Sequence, residues 1–171
     1  MTHLMLAAGG VVDGLSVSGV GANAKSAGTA SKSVRGTWYS TTAHYRGEKA
    51  GEMVSFSTHK LTWHSFPSGT GNFGYLPTVS KVHGWYRINV EQMAKMAQNK
   101  HQAVAGSGWT KADYMYFRHV THKVNGKTQS VLLWNVTGSK LKSAQVFTHA
   151  KTLLPKGQRT VSVSSSGSYK F

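Results

Sequence analysis

Apolar and polar residues alternate in short runs along most of this chain, and the runs are rich in β-branched and aromatic side chains. Such a pattern predicts β-strands, since successive side chains of a strand point to opposite faces. Strands are predicted at 34–40, 53–57, 60–66, 84–90, 114–124, 127–136 and 140–148. Runs at these spacings favour an all-β domain, built as an antiparallel up-and-down barrel or as a sandwich.

Turn residues separate several of these runs. Asn125-Gly126 lies between two β-rich runs and predicts a type I′ hairpin, because both residue types tolerate a positive φ. Residues 46–49 (Arg-Gly-Glu-Lys) predict the turn of an earlier hairpin. In 91–104 apolar residues recur at i, i+3 and i+4 from Met93, which predicts one short helix.

The two ends of the chain differ from the domain between them. Residues 1–24 contain no Lys or Arg and end in Ala22-Asn23-Ala24, the small-x-small pattern that signal peptidase reads. Because the basic n-region is missing and Asp13 interrupts the apolar stretch, this segment is interpreted as an incomplete signal peptide, with a flexible N-terminal extension as the alternative. Residues 25–33 predict a linker, and 156–171 a flexible or weakly ordered tail, since both are small and polar. The ordered domain is expected over 34–155.

The net charge of the chain says more about its partners than any motif does. The 171 residues carry 20 Lys plus Arg against 5 Asp plus Glu, a formal net charge of +15, and no Cys. Without Cys there is no disulfide framework and no thiolate metal site. The cations are spread along the domain, which favours adsorption to a diffuse polyanion over docking on a duplex. We expect an anionic cell-wall polymer or membrane surface as partner, and no specific nucleic acid.

Carboxylates for catalysis are scarce. Beyond residue 24 the acids are Glu48, Glu52, Glu91 and Asp113. A glycosidase needs two facing carboxylates, and neither a G-x-S-x-G nor a phosphate-cradling glycine motif occurs. We therefore expect a protein that is not an enzyme, with no catalytic residue and no cofactor. An unrecognised hydrolase stays open as an alternative, as does a nuclease that uses His44, His119 or His122 with Lys.

Nine histidines raise the question of a metal site. His119 and His122 have the H-x-x-H spacing, but on a strand residues three apart point to opposite faces. His59 and His64 bracket a predicted strand at an odd separation, with the same consequence. No metal site is expected.

One short motif carries a family resemblance. Gly36-Thr37-Trp38 has the Gly-x-Trp form of the lipocalins, and Arg35-Gly36-Thr37-Trp38-Tyr39 resembles the opening of small lipocalin-like proteins secreted by lactic-acid bacteria. The predicted hairpin at 118–133 is similar to the later part of that group. The resemblance implies an exported, calycin-type antiparallel barrel, in which Trp38 seals one end beneath a basic side chain of a late strand. Only Gly36 and Trp38 carry over by motif, and the sequence does not identify the basic partner.

The sequence is compatible with three candidate functions. The first is a secreted or cell-surface protein, from a Gram-positive bacterium, that is retained by charge on the anionic envelope and holds a small apolar ligand in its barrel. Candidates to line that ligand site are Trp63, Trp85, Tyr116 and Trp134. The second is a wall-binding or adhesion module whose interior is filled by side chains. The third is the unrecognised hydrolase or nuclease.

Overall fold

The computed structural model describes residues 28–67, 69, 72–98, 110–137 and 140–171. In this part of the chain 11 strands form one sheet. They are β1 (Gly36–Tyr45), β2 (Glu48–Phe56), β3 (Lys60–Phe66), β4 (Asn72–Tyr75), β5 (Ser80–Val82), β6 (Trp85–Asn89), β7 (Tyr114–Val124), β8 (Lys127–Thr137), β9 (Ser143–Thr148), β10 (Thr160–Val163) and β11 (Tyr169–Lys170). The helices are α1 (Val90–Gln98) and the 3-10 helices Lys32–Val34 and Lys156–Gln158. The strand pairs are antiparallel, which confirms the all-β prediction.

The two predicted hairpins form where turn chemistry placed them. β7 and β8 pair in register from Tyr114↔Thr137 to Val124↔Lys127. Their turn residues Asn125 and Gly126 have φ of 51° and 78°, as a type I′ turn requires. β1 and β2 form the earlier hairpin. The residue types at each turn were therefore sufficient to predict both hairpins.

The predicted helix is confirmed over Val90–Gln98, while residues 99–104 of the expected span lie outside the described residues. Its start is stabilised by Asn89, whose side-chain oxygen accepts a hydrogen bond from the Gln92 backbone N–H at 2.9 Å. Glu91 in the first turn complements the helix dipole. The helix packs on β4 and β6 and buries Val90 and Met93.

Strand pairing follows the order β4-β3-β2-β1-β9-β8-β7-β6-β5, with β10 and β11 attached beside β9. Within the described residues this path ends at β4 and β5, so the sheet is not closed and a barrel is not confirmed. Residues 76–79 connect these two edge strands, and five residue steps span at most about 18 Å. The sheet therefore curves until its edges approach each other. The connecting segment 76–79 is itself hydrogen-bonded to other parts of the chain, since the Leu76 backbone bonds to the backbones of His59 and Gly28.

Each face of the curved sheet carries its own apolar cluster. The inner cluster includes Trp38, Phe56, Phe117, Trp134 and Phe147. The outer cluster lies on the opposite side of the late strands and includes Trp85, Val124, Val131, Leu133 and Val146. In β7 and β8 neighbouring residues alternate between the two clusters, because both faces are covered.

The C-terminal residues 156–171, expected to be a weakly ordered tail, instead cover the outer face. β10 pairs with β9, and β11 pairs with β10. Val161 and Val163 are buried in the outer cluster, with Phe171 packed against it. Composition misleads here because alternating Val and Ser already form an amphipathic strand, which becomes stable once an apolar sheet face is available.

The described part of the expected linker is also bound to the domain. The Gly28 backbone N–H donates to Leu76 O at 2.6 Å, and that of Ala30 to Thr58 O at 2.9 Å. Ala30 is buried in the inner cluster. The predicted signal peptide, residues 1–24, lies outside the described residues.

Candidate functional site

A pocket of 630 Å³ opens on the inner face of the sheet, between β2 and β3 on one side and β8 and β9 on the other. Its apolar wall consists of Val54, Trp63, Trp134, Val136 and Phe147. Val54, Trp134 and Phe147 are buried, while Trp63 and Val136 are partly buried against the same cluster. Trp63 and Val136 are therefore the members of this wall that stay partly accessible.

Polar side chains complete the pocket. Those whose side chains share the inner face are Glu52, Ser65 and Gln145, while His64 and Asn135 alternate to the other face of β3 and β8. Glu52 and Ser65 are paired residues of β2 and β3, and both are exposed. The described residues that line this pocket include no Lys and no Arg, although the chain carries 20 of them.

Two of the four predicted lining residues reach this pocket. Trp63 and Trp134 both line it. Trp85 and Tyr116 belong to the outer cluster instead, and the Trp85 indole N–H donates to Gly167 O at 2.8 Å. In 114–117 both alternating sets are aromatic or apolar, so the sequence alone could not tell the inner face from the outer one. In 84–90 Trp85 shares its face with the polar residues Arg87 and Asn89, so alternation already favoured the outer face for Trp85.

The residues missed by sequence reasoning are those whose position depends on strand register. Phe147 reaches the pocket because β9 lies between β1 and β8. Glu52 reaches it because it shares a strand face with Val54, two residues along β2. The alternation in β2 contained the signal for Glu52, but not which strands would face it.

Trp38 lies on another part of the inner face, in β1. It is fully buried, and its indole N–H donates to Val34 O at 2.8 Å. The His149 ring stacks on it with 3.6 Å between ring centroids, and the His149 Nδ1–H donates to Thr37 O at 2.9 Å. Gly36 has a φ of 108°, a conformation that L side chains rarely adopt. His149 directly follows β9 and contacts Trp38, a contact that the sequence did not identify.

A second histidine lies beside this pair. The His119 ring meets Trp38 edge-on, with 6.0 Å between centroids. Burial, and to a smaller extent the neighbouring His149, lowers the pKa of His119. This environment therefore favours the neutral ring.

The H-x-x-H pair is divided between the two faces, as the strand periodicity predicted. His119 faces Trp38 on the inner side, whereas His122 stacks on Phe171 with 3.4 Å between centroids and Phe171 packs on the outer cluster. These two rings cannot ligate one ion together. In the described ranges, groups of three or more His, Asp or Glu arranged to hold a metal do not occur.

A second concavity, of 510 Å³, lies beside the start of α1 and is lined by the cations Arg87, Lys95 and Lys111. Lys95 is already paired with Glu91 at 2.7 Å. The Arg87 guanidinium lies over the Tyr114 ring at 4.5 Å, and its buried Nε has no hydrogen-bond partner in the described structure. This surface suits contact with anions.

Comparison of the chain with protein-family models, with curated proteins and with solved structures finds no match. Among the described residues, no helix has the length and apolar character needed to cross a membrane.

Proposed function

We propose that this protein is a lipocalin-like binding protein that holds a small apolar ligand in the inner-face pocket and is retained on an anionic cell envelope by its charge. The observation that carries the proposal is the pocket itself. Its 630 Å³ exceeds the lower bound of about 300 Å³ for small-molecule sites. The partly buried side chains of Trp63 and Val136 supply apolar surface that such a ligand would cover.

The lipocalin-like part of the proposal is supported by the sheet and by its Trp38 end. The sheet joins the first strand to a late strand, β1 to β9, and curves until its edges approach. Val34 O and His149 hold Trp38 in a buried position at the start of β1.

The binding role is favoured over the alternatives by the contents of the pocket. An adhesion module with a filled interior would not leave this volume beside Trp63 and Trp134. Glycoside hydrolysis needs two carboxylates, and the described lining contributes one, Glu52. The retention part rests on the formal charge of +15.

A titration with N-phenyl-1-naphthylamine, an uncharged apolar fluorophore, tests the binding role. We expect saturable fluorescence enhancement with the wild-type protein. Ser65 is exposed and lines the pocket, so Ser65→Trp fills the volume without removing a core side chain, and affinity falls at least about tenfold. Ser162→Trp, on exposed β10, is the matched control and keeps wild-type affinity. Absence of saturable binding, or equal loss in both variants, would refute the proposal.

A further inference from the structure

We propose that the inner-face pocket selects organic cations, that is, small molecules with an apolar body and a protonated amine that is bound by Glu52. This inference rests on the proposed function, because it assigns the chemical class of the ligand of the same pocket.

The pocket carries the opposite charge from the rest of the molecule. The chain has 20 Lys plus Arg and 5 acids, yet the described lining contains one acid, Glu52, and no Lys or Arg. A pocket for a fatty acid or a phosphate would need a cation near the anionic group of the ligand. Here such a group would meet a carboxylate instead.

Glu52 is available to a ligand. In the described structure its carboxylate has no hydrogen bond and no ion pair, whereas Glu91 is paired with Lys95 at 2.7 Å and Asp113 accepts from the Thr110 hydroxyl at 2.9 Å. Its register neighbours on β1 and β3 are Ser40 and Ser65, so both adjacent side chains are uncharged. A cation in the pocket would therefore find an uncompensated carboxylate.

The apolar wall adds a second attraction for the same class of ligand. Trp63 lines the pocket together with Glu52, and aromatic faces attract ammonium groups through the ring quadrupole. Trp63 is partly exposed, and Trp134 and Phe147 are buried. An aromatic or alkyl body would pack against Trp63 and Val136 while its amine lies at the exposed Glu52.

The test compares two ligands of the same shape by calorimetry at pH 7.5 and about 0.15 M salt, where the Debye length is about 8 Å. They are 2-naphthylmethylamine, which is protonated, and 2-naphthylmethanol, which is neutral. We expect the wild-type protein to prefer the amine by about five- to tenfold. In Glu52→Gln this preference disappears, while the affinity for the alcohol stays within about twofold.

Glu48→Gln is the matched control. Glu48 lies on the same strand next to the hairpin turn and does not line the pocket, so this variant has the same change in net charge and should keep the preference for the amine. If wild type binds both ligands equally, or if Glu52→Gln keeps the preference, the inference is wrong although the proposed function stands. If neither ligand binds, the proposed function fails and the inference fails with it. Near-UV circular dichroism verifies that both variants are folded.

Discussion

At the scale of single residues, the position of a buried side chain depends on the groups that contact it. Trp38 has a hydrogen bond to Val34 O and a stacked His149. A buried indole N–H without a partner would destabilise the fold by about 1–3 kcal/mol. The Gly-x-Trp pattern predicted the position of Trp38. It could not predict His149, because that contact joins residues at opposite ends of the domain.

His119 makes stability depend on pH. Its pKa in the folded protein is lowered by burial and then by His149, so protonation opposes folding. The unfolded chain binds the proton at its ordinary pKa of about 6.5. Stability is therefore fully present above about pH 6.5 and is lost as pH falls through the folded pKa.

Thermal unfolding between pH 5 and 8 measures this effect. We expect the wild-type melting temperature to fall toward pH 5, and the fall to become smaller in His119→Gln. His122→Gln, three residues along the same strand and on the outer face, should keep the wild-type dependence. Identical profiles for wild type and His119→Gln would assign the effect to other groups.

At the scale of elements, the residues of a turn determine where a hairpin forms, whereas tertiary contacts determine which short strands are added to the sheet. Asn125-Gly126 specified its hairpin because a positive φ at two consecutive residues admits few residue types. β10 and β11 were not predicted from their sequence. Short Val and Ser strands are marginal alone and become stable when they cover the outer cluster.

The β7–β8 turn provides a test of this distinction. In Gly126→Ala the new methyl group meets nothing within 4 Å, so the cost comes from the φ of 78° alone. We expect about 1 kcal/mol of destabilisation in chemical denaturation. Gly157→Ala is the matched control, since its methyl group is equally free and its φ is not in the left-handed region. A similar loss in both variants would show that the turn conformation is not responsible.

At the scale of the whole molecule, the proposed function gives the surface charge the role of retention and the pocket the role of ligand binding. The formal charge of +15 acts over the entire surface, while the pocket is lined by a single acid among its described residues. A diffuse positive surface attracts anionic polymers and membranes without a specific site. Each Lys or Arg near such a surface contributes about 1 kcal/mol at moderate salt.

Retention should therefore be reversed by salt. We expect the protein to bind vesicles with anionic phosphatidylglycerol at about 0.05 M salt and to be released at about 1 M, where the Debye length is about 3 Å. The double variant Lys123→Gln/Lys127→Gln, at exposed positions beside the β7–β8 turn, should weaken binding about tenfold or more. Vesicles of neutral phosphatidylcholine are the control. Binding that persists at high salt would contradict the electrostatic proposal.

The sequence by itself determined the all-β class, the two hairpin turns, the start of α1 and the separation of His119 from His122, because these depend on periodicity and on neighbours along the chain. It also determined the surplus of positive charge. Tertiary structure decided which aromatic residues face inward: Trp63 and Trp134 reach the pocket, and Tyr116 does not. Where both faces of a strand are apolar, alternation alone cannot label them. Register and sheet curvature made that choice, and they placed Glu52 beside the apolar wall.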